Sequence, residues 1–410
     1  MKIIGTGVGL PRLRVTNDMI AKYVDTSDEW VASRTGIRER RIISDETLID
    51  LGSQAAKEAL AKASIDVADI DLLICSNVAN SYVTPSLGCI IQGKLGASCP
   101  CFDINNACAG FLTALDIADG YVTSGKYKNI LIVCAEEPSR IVDWTSREAC
   151  ILFGDAASAA VVTVGNGLQK MRISTKSMPD VLYYKRKLEY NPFVTKNEDN
   201  FKPLQMNGRE VFKMAVSASV ADIKKVVEDT GWKMEEVDMF VLHQANLRII
   251  ESIRQHLDLP EEKVPHNVER SGNTSSACIP IMLNELLEEG KIKKGDKIVF
   301  SAFGAGFSTA AGTYIWEDEQ QKIILVRVKG FRFSPFLLVC SLFHCLQKFH
   351  KSLYVNFFPR RSMVVLYTLP ARRNSSQSVA IKMAKDRAAS MMLMPWQTRA
   401  NMTIGEVNGM

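Results

Sequence analysis

The sequence predicts an α/β protein built from two related halves. Segments 67–74 and 234–241 are similar and begin 167 residues apart, and each follows an amphipathic helical stretch (49–63 and 211–229). A glycine–lysine turn followed by an apolar strand also occurs twice, within residues 125–133 and 290–301. Short apolar strands alternating with helical patterns are typical of sheets covered by helices. We interpret the repeats as a duplication; chance similarity between helix–turn–strand segments is the alternative.

The repeats divide the chain into four segments. Residues 1–165 form the first half, which starts with an apolar strand at residues 1–5. Residues 166–210 are polar and rich in aromatic side chains, which predicts a connection whose loops form part of the wall of a site. Residues 211–317 form the second half. Residues 318–410 form a basic tail without clear periodicity.

The composition is that of a globular protein, with 47% apolar and 23% charged residues among 410. The formal net charge is +5, but residues 318–410 hold 14 Lys and Arg against 4 Asp and Glu, which leaves 36 against 41 in residues 1–317. This mildly acidic body argues against nucleic-acid binding, which needs a basic face on the folded domain. In the tail, the apolar run 336–346 is about half of the ~20 residues that span a bilayer, so we expect no transmembrane segment.

The cysteines and the N-terminus indicate the compartment. Ten cysteines occur without the paired spacing of a metal site, and no secretory signal precedes the first strand. A disulfide framework is unusual in so long a chain without such a signal. We therefore predict free thiols, no bound metal and a cytoplasmic location.

Cys108 is the most informative residue. It lies among small residues where a helix with an apolar stripe begins. The positive end of a helix dipole favours a thiolate, so we expect the pKa of this thiol to be lowered. His243 and Asn273 each lie where a strand-like stretch meets a loop. Cysteine, histidine and asparagine together are suited to acyl transfer through a thioester.

Seven motifs in order extend this pattern: Asp-Thr-Ser-Asp-Glu-Trp (25–30), Arg-Thr-Gly-Ile-Arg-Glu-Arg (34–40), Ala-Cys-Ala-Gly-Phe (107–111), Phe-Gly-Asp-Ala (153–156), His-Gln-Ala-Asn-Leu-Arg (243–248), Gly-Asn-Thr-Ser (272–275) and Ala-Phe-Gly-Ala-Gly-Phe (302–307). Together they resemble the β-ketoacyl-acyl-carrier-protein synthase III family over about residues 1–316. The resemblance implies the thiolase fold, with duplicated α/β halves layered α-β-α-β-α. It also implies a homodimer that uses a coenzyme A thioester as substrate and needs no other cofactor.

The resemblance implies the initiating condensation of type II fatty acid synthesis. Cys108 takes the acyl group from acetyl-coenzyme A or another short acyl-coenzyme A. The acyl-cysteine then reacts with malonyl-acyl-carrier protein, which loses carbon dioxide. His243 and Asn273 stabilise the enolate that this loss creates, and the backbone N–H groups of Cys108 and Ala305 form the oxyanion hole. The family usually has glycine at the position of Ala305, and a methyl group there is a mild departure.

Further roles follow from the same resemblance. Trp30 and Arg147 hold the adenine of coenzyme A between them, with Thr26 and Arg34 nearby. A basic rim receives the acidic carrier protein, and a set of side chains lines the acyl pocket. The rim consists of Lys213, Arg248 and Arg254, and the pocket of Thr84, Phe153, Met206 and Phe303. With a one-residue gap in the alignment, the resemblance implies that Thr84 closes the pocket across the dimer.

The sequence is also compatible with other functions. A related condensing enzyme, such as a polyketide or quinolone starter synthase or a thiolase-like ligase, has the same fold. 3-Hydroxy-3-methylglutaryl-coenzyme A synthase fits less well, because no catalytic glutamate can be placed in the sequence. A catalytically silent binding protein is the alternative of another class, and the intact Cys108, His243 and Asn273 argue against it.

Overall fold

A computed structural model describes residues 1–187, 191–193 and 201–317, and the backbone of four strands between residues 323 and 407. The chain divides into two compact units, Met1–Asp318 and Glu319–Met410. Within the described residues, none of the helices combines the length and apolar character needed to cross a membrane.

The first unit contains thirteen described strands and nine described α-helices. The strands are β1 (Lys2–Gly9), β2 (Leu13–Thr16), β3 (Glu39–Ile42), β4 (Leu72–Ser76), β5 (Cys101–Ile104), β6 (Ile130–Glu136), β7 (Ala156–Thr163), β8 (Leu168–Thr175), β9 (Leu182–Tyr183), β10 (Gln205–Met206), β11 (Met239–Leu242), β12 (Lys297–Gly304) and β13 (Ser308–Ile315). The helices are α1 (Asn17–Ile20), α2 (Asp28–Thr35), α3 (Leu48–Ala63), α4 (Leu87–Leu95), α5 (Gly110–Thr123), α6 (Gly208–Asp229), α7 (Leu247–His256), α8 (Val268–Ser271) and α9 (Cys278–Glu288).

Two mixed sheets carry the duplication. The first has the order β1-β7-β6-β4-β5 and the second the order β11-β12-β13-β8. In the first sheet β4 runs parallel to β6, which is antiparallel to β7; in the second β11 runs parallel to β12, which is antiparallel to β13. The residues just before β4 and β11 also make equivalent hydrogen bonds. The Asp71 N–H donates to the Asn129 carbonyl, and the Asp238 N–H donates to the Lys297 carbonyl. The predicted duplication therefore has a matching topology.

The layers follow from which face each strand side chain occupies. Along β6, Ile130, Ile132 and Cys134 pack with α5 and α9, whereas Leu131 and Val133 pack with α3 on the other face. This alternation is expected of a strand buried on both sides. The second sheet shares the α5–α9 layer through Phe300 of β12 and packs its other face against α6 and α7. The order is helix, sheet, helix pair, sheet, helix, which confirms the predicted fold class.

One part of the connection differs from the expectation. Residues 166–210 include β8, which pairs with β13 and completes the second sheet. Its residues are mostly partly buried or exposed. An edge strand of this kind has a mixed polar sequence, and for that reason it lacks the apolar run that marked the other strands.

The second unit contains four described strands, β14 (Ile323–Lys329), β15 (Leu353–Phe358), β16 (Ser362–Thr368) and β17 (Met402–Val407), which pair antiparallel in the order β15-β16-β14-β17. The sequence had suggested no regular pattern there. The apolar run 336–346 lies outside the described residues.

Candidate active site

Cys108 lies in a one-turn 3-10 helix, Ala107–Ala109, that leads directly into α5. Ala107 adopts a left-handed backbone conformation (φ 46°), which turns the chain sharply before the cysteine. Gly304, at the end of β12, passes over this turn: a Cβ placed on Gly304 would come within 2.7 Å of the Cys108 backbone nitrogen. Only glycine allows this close approach. Gly304 thereby brings the following residue, Ala305, to the edge of the turn.

The expected lowering of the Cys108 pKa is wrong. Burial raises the pKa of the thiol to about 12, and the Glu136 carboxyl acts in the same direction, against a hydrogen bond from Ser275. A rise of three units from 9 corresponds to about 4 kcal/mol. A helix dipole contributes at most about 2 kcal/mol. Desolvation therefore outweighs the dipole, and the resting thiol is protonated at neutral pH.

His243 follows β11 and is almost fully buried. Its ring lies edge-on to Phe303, with centroids 5.1 Å apart, and its Nδ1 lies 2.9 Å from the Cys278 sulfur. Burial lowers the pKa of His243 to about 3. The imidazole is therefore neutral, and with Nδ1 engaged by Cys278 its Nε2 has no protein partner among the described residues.

Asn273 is oriented by its own loop. Its side-chain oxygen accepts a hydrogen bond from the Ser275 backbone N–H (2.8 Å), so its Nδ2 group is the free end, without a partner in the described part of the chain. The Asn273 backbone bonds to residues 152 and 154 on either side of Phe153. Phe153 is buried there. The loop thus fixes both the amide and one residue of the predicted acyl pocket.

A chain of contacts links these groups. Asn273 bonds to Ser275, and the turn Ser275–Ala277 packs against the turn Ala107–Ala109, where the Ser275 hydroxyl opposes the rise in the pKa of the Cys108 thiol. His243 bonds to Cys278, whose thiol is close enough to Cys108 for the charges of the two sulfurs to interact. The three residues predicted to be catalytic therefore meet at one centre, between the beginnings of α5 and α9.

Trp30 on α2 is flanked by two guanidinium groups, with Arg34 Cζ 4.2 Å and Arg147 Cζ 4.4 Å from its ring centroid. A base stacked between Trp30 and Arg147 needs two contacts of about 3.5 Å each. The gap is therefore closed in this structure, and Arg147 bonds to the Asp25 carbonyl (2.9 Å). The Thr26 hydroxyl is buried and has no partner among the described residues.

A groove of about 610 Å³ lies beside this cluster, lined by Glu148, Asp180, Tyr183, Gln205, Met206, Asn207 and Gly208. Glu148 neighbours Arg147, and Gly208 is the first residue of α6. Met206 therefore lines a groove that extends from Glu148, the neighbour of Arg147 in the chain, to the start of α6, whereas Phe153 and Phe303 are buried.

The basic rim is less uniform than predicted. Lys213 and Arg248 are exposed. Arg254 instead pairs with Glu251 (2.8 Å) and donates to the Leu259 carbonyl (2.9 Å). Thr84 lies on an exposed loop.

Three residues at the centre were not singled out from the sequence: Glu136, Ser275 and Cys278. Ser275 is the last residue of the Gly-Asn-Thr-Ser motif that contains Asn273. Nothing in the sequence distinguishes Glu136 or Cys278 from ordinary residues at the end of a strand and the start of a helix. In the described part of the chain no cluster of side chains is suited to hold a metal ion.

Two duplicated halves around a central helix pair, with a cysteine at the start of one helix, define the class of thiolase-fold acyltransferases. Comparison with known proteins gives the family. The chain matches the family model for 3-oxoacyl-[acyl-carrier-protein (ACP)] synthase III over residues 102–178 and the model for its C-terminal part over residues 227–316. It is 45% identical over 311 residues to the β-ketoacyl-[acyl-carrier-protein] synthase III of Aquifex aeolicus, which covers 76% of this chain and 97% of that protein.

Solved structures agree. The crystal structure of 3-oxoacyl-[acyl-carrier-protein] synthase III from Aquifex aeolicus superposes with a TM-score of 0.72 at 42% identity, covering 77% of this chain and 99% of that one. The priming β-ketosynthase of the R1128 polyketide pathway gives 0.73 at 35% identity, covering 78% and 96%. The chain belongs to the β-ketoacyl-acyl-carrier-protein synthase III family, as the sequence motifs had indicated, and is an acyltransferase.

Proposed function

We propose that the chain catalyses the initiating condensation of type II fatty acid synthesis, joining a short acyl group from acyl-coenzyme A to malonyl-acyl-carrier protein. The products are 3-oxoacyl-carrier protein, carbon dioxide and coenzyme A. The observation that carries the proposal is the convergence of Cys108, His243 and Asn273 on one centre. We further propose a cytoplasmic homodimer that uses no cofactor besides its coenzyme A substrate.

In the first stage Cys108 attacks the thioester. Because the thiol is protonated at rest, it loses its proton as its bond to the acyl carbon forms. The bond between the acyl carbon and the coenzyme A sulfur then breaks, and that sulfur departs with the proton as the free thiol of coenzyme A. The oxyanion of the tetrahedral intermediate lies against the backbone N–H groups of Cys108 and Ala305. Such donors stabilise the charge that develops in the transition state. The close approach of Gly304 to the Cys108 nitrogen supports this pairing of the two backbone segments.

In the second stage the malonyl group loses carbon dioxide, and the electrons of the broken carbon–carbon bond form an enolate that attacks the acyl-cysteine. The carbon–sulfur bond to Cys108 breaks as the new carbon–carbon bond forms, and the released thiolate takes up a proton to restore the thiol. His243 and Asn273 donate hydrogen bonds to the enolate oxygen. One observation supports donation by Asn273: its side-chain oxygen is already occupied by the Ser275 N–H. For His243 we propose that the Cys278 thiol, which accepts from the Gln244 N–H, donates its own proton to Nδ1, so that the imidazole proton is on Nε2. The neutral imidazole also avoids the cost of an uncompensated buried charge.

Coenzyme A is proposed to bind along the groove, with its adenine at Trp30. This requires Arg147 to move away from the indole, after which a base takes its place between the two side chains. Thr26 and Arg34 border the same site. Asn246, which caps α7, contacts the Arg34 carbonyl (3.5 Å), so the exposed Arg248 lies near this entrance. Arg248 and Lys213 are proposed to receive the acidic carrier protein, mainly by accelerating association. Arg254 contributes less, since its guanidinium is already paired.

The pocket for the acyl chain is proposed to include Phe153, Phe303 and Met206, with Thr84 contributed across the dimer. A small residue at Thr84 leaves more room than an aromatic one. We therefore expect chains longer or more branched than acetyl to be accepted. Acylation rates with acetyl-, isobutyryl- and hexanoyl-coenzyme A measure this, and strict preference for acetyl would contradict it.

Mass spectrometry of the intact protein tests the function. After exposure to acetyl-coenzyme A, we expect one added acetyl group that is absent in Cys108→Ser and present in the control Cys89→Ser, which removes an exposed thiol on α4. Malonyl-carrier protein, but not malonyl-coenzyme A, then returns the protein to its unmodified mass. Acetylation that persists in Cys108→Ser would refute the proposal. A polyketide starter enzyme, suggested by the likeness to the R1128 priming synthase, would discharge its acyl group only to a carrier protein of that pathway.

A further inference from the structure

Glu136, the last residue of β6, is a buried carboxyl at the centre of the molecule that the proposed reaction does not use. Only 1% of the residue is exposed. One oxygen accepts a hydrogen bond from the Val78 N–H (3.1 Å). The other accepts from the hydroxyls of Ser275 (3.2 Å) and Ser276 (2.5 Å) and from the Ser276 N–H (3.4 Å). Four donors converge on this one carboxyl, so its position is fixed.

Ser275 connects Glu136 to the nucleophile. Its hydroxyl donates to the Glu136 carboxyl (3.2 Å). The turn Ser275–Ala277 packs against the turn Ala107–Ala109 that carries Cys108, and the Ser275 hydroxyl opposes the rise in the pKa of the Cys108 thiol. A serine hydroxyl has a single proton and donates one hydrogen bond at a time. A carboxylate and a developing thiolate on opposite sides of Ser275 therefore compete for the same donor.

We propose that Glu136 and Ser275 form a positioning pair that sets the reactivity of Cys108, with Glu136 competing against the sulfur for the hydroxyl proton of Ser275. When Glu136 is ionised, the Ser275 hydroxyl donates its hydrogen bond to the Glu136 carboxylate, and the negative charge of the carboxylate repels the Cys108 thiolate. Neutral Glu136 releases the hydroxyl, which then donates to the sulfur. The inference deepens the proposed function and rests on Cys108 being the nucleophile.

The surroundings of Glu136 make it the group in this cluster that changes its charge near neutral pH. Burial raises its pKa to about 7 even though four donors oppose the shift. The titratable groups that face it among the described residues are thiols: Cys75 on β4, Cys134 on β6 and Cys108. Burial raises the pKa of each thiol well above neutrality. Between pH 6 and 8, Glu136 is therefore the member of this cluster that changes charge.

The duplication provides independent support. When the first half is matched to the second, the pair β4–β6 corresponds to the pair β11–β12, and Glu136 then corresponds to Gly304. In the same comparison the turn Ala107–Ala109 corresponds to the turn Ser275–Ala277, and Cys108 corresponds to Ser276. The Ser276 N–H, which donates to the Glu136 carboxyl, is therefore the counterpart in the second half of the Cys108 N–H, the proposed oxyanion-hole donor. The Glu136 carboxyl thus accepts from the Ser276 N–H in the way that the substrate oxygen is proposed to accept from the Cys108 N–H.

The test is the pH dependence of Cys108 alkylation by iodoacetamide, followed on the Cys108 peptide in the full-length protein. Alkylation needs no acyl-coenzyme A, so its result is separate from that of the acetylation experiment. In Glu136→Gln we expect the rate relative to the native protein to rise from about one at pH 6 to about tenfold at pH 8.5, since one unit of thiol pKa is a factor of ten. Ser275→Ala should slow alkylation more at pH 6 than at pH 8.5.

Controls separate this role from a structural one. Exposed Cys89 serves as an internal reference whose alkylation rate should not change. Glu137→Gln removes the neighbouring carboxyl, which pairs with Arg140 (2.9 Å), and should leave the Cys108 profile unaltered. If Glu136→Gln fails to fold, the native protein provides the test. The logarithm of its Cys108 alkylation rate, plotted against pH, should rise with a slope below one between pH 6 and 8. A slope of one throughout, or a Glu136→Gln ratio independent of pH, overturns the proposal.

Discussion

Ala107 and Ser275 adopt the same left-handed backbone conformation, with φ of 46° and 53°, at the first residue of two equivalent turns. Neither is glycine, so each conformation costs on the order of 1 kcal/mol or more. The turns lead into α5 and α9, and the residues that follow are Cys108 and Ser276. The strained turn thus occurs in both halves, and the turn in the first half carries the nucleophilic cysteine.

His243 and Asn273 are expected to act after acylation. His243→Ala and Asn273→Ala should each lower the condensation rate by about 10²–10³-fold, because each removes a donor to the enolate oxygen. Acetylation of Cys108 should change much less. Rapid-quench measurement of acetyl-enzyme formation and decay separates the stages. Equal losses in both would contradict the assignment to the second stage. Asn267→Ala, at another buried asparagine outside the centre, is the control for unfolding.

Coenzyme A binding should depend on Trp30. Trp30→Ala removes the stacking surface, and we expect KM for acetyl-coenzyme A to rise about tenfold with little change in kcat, the pattern of lost uniform binding. Arg147→Met should act in the same direction. Lys297→Met is the matched control, since Lys297 lies 5.1 Å over Trp232, remote in sequence from the motif. A fall in kcat with KM unchanged would place Trp30 outside the nucleotide site.

Asp155 should make stability depend on pH. Burial raises the pKa of this carboxyl to about 6, although Ile43 and Ser139 donate hydrogen bonds to it. A folded-state pKa above the unfolded value means that the folded state binds the proton more tightly. The free energy of unfolding should therefore increase as the pH falls from 7 to about 4. The gain is on the order of 2–3 kcal/mol from this group.

Urea unfolding at several pH values measures this effect. In Asp155→Asn the slope of unfolding free energy against pH should be flatter over the same range, whatever the change at a single pH. Asp143→Asn, at a loop carboxyl whose pKa is lowered by hydrogen bonds from Thr145, is the control and should not flatten it. An unchanged slope in Asp155→Asn would mean that Asp155 is ionised throughout.

A chain ending after Glu317 should fold and form acetyl-enzyme at the native rate. The carboxylate of Glu317 contacts the Lys2 amine (3.4 Å) and accepts from the Asn166 N–H (3.0 Å), and so it must be retained. Circular dichroism and the acetylation assay test the truncation. Loss of folding or of acetylation would show that residues beyond 317 are needed.

The fold could be predicted because duplication leaves a visible trace in sequence and because β4, β6, β11 and β12 are apolar runs. β8 was missed, since an edge strand alternates with polar residues. The catalytic candidates were visible as motifs, but their electrostatics were not. The helix dipole at Cys108 can be inferred locally, whereas desolvation depends on residues such as Glu136 and Cys278 that only tertiary structure brings near. Arg254 likewise looked free until its contacts with Glu251 and Leu259 were known.

The helix layer shared by the two sheets determines the order in which the chain can fold during synthesis. The apolar face of α5 packs against α9 and β12, which are translated much later. Synthesis of the residues between Thr123 and Lys297 takes roughly 10–35 s at ordinary rates. For that interval the first half emerges with an uncovered apolar surface, the condition under which nascent chains aggregate or recruit chaperones. The two halves are separate in sequence, but the first half can complete its packing only after the second half has been synthesised.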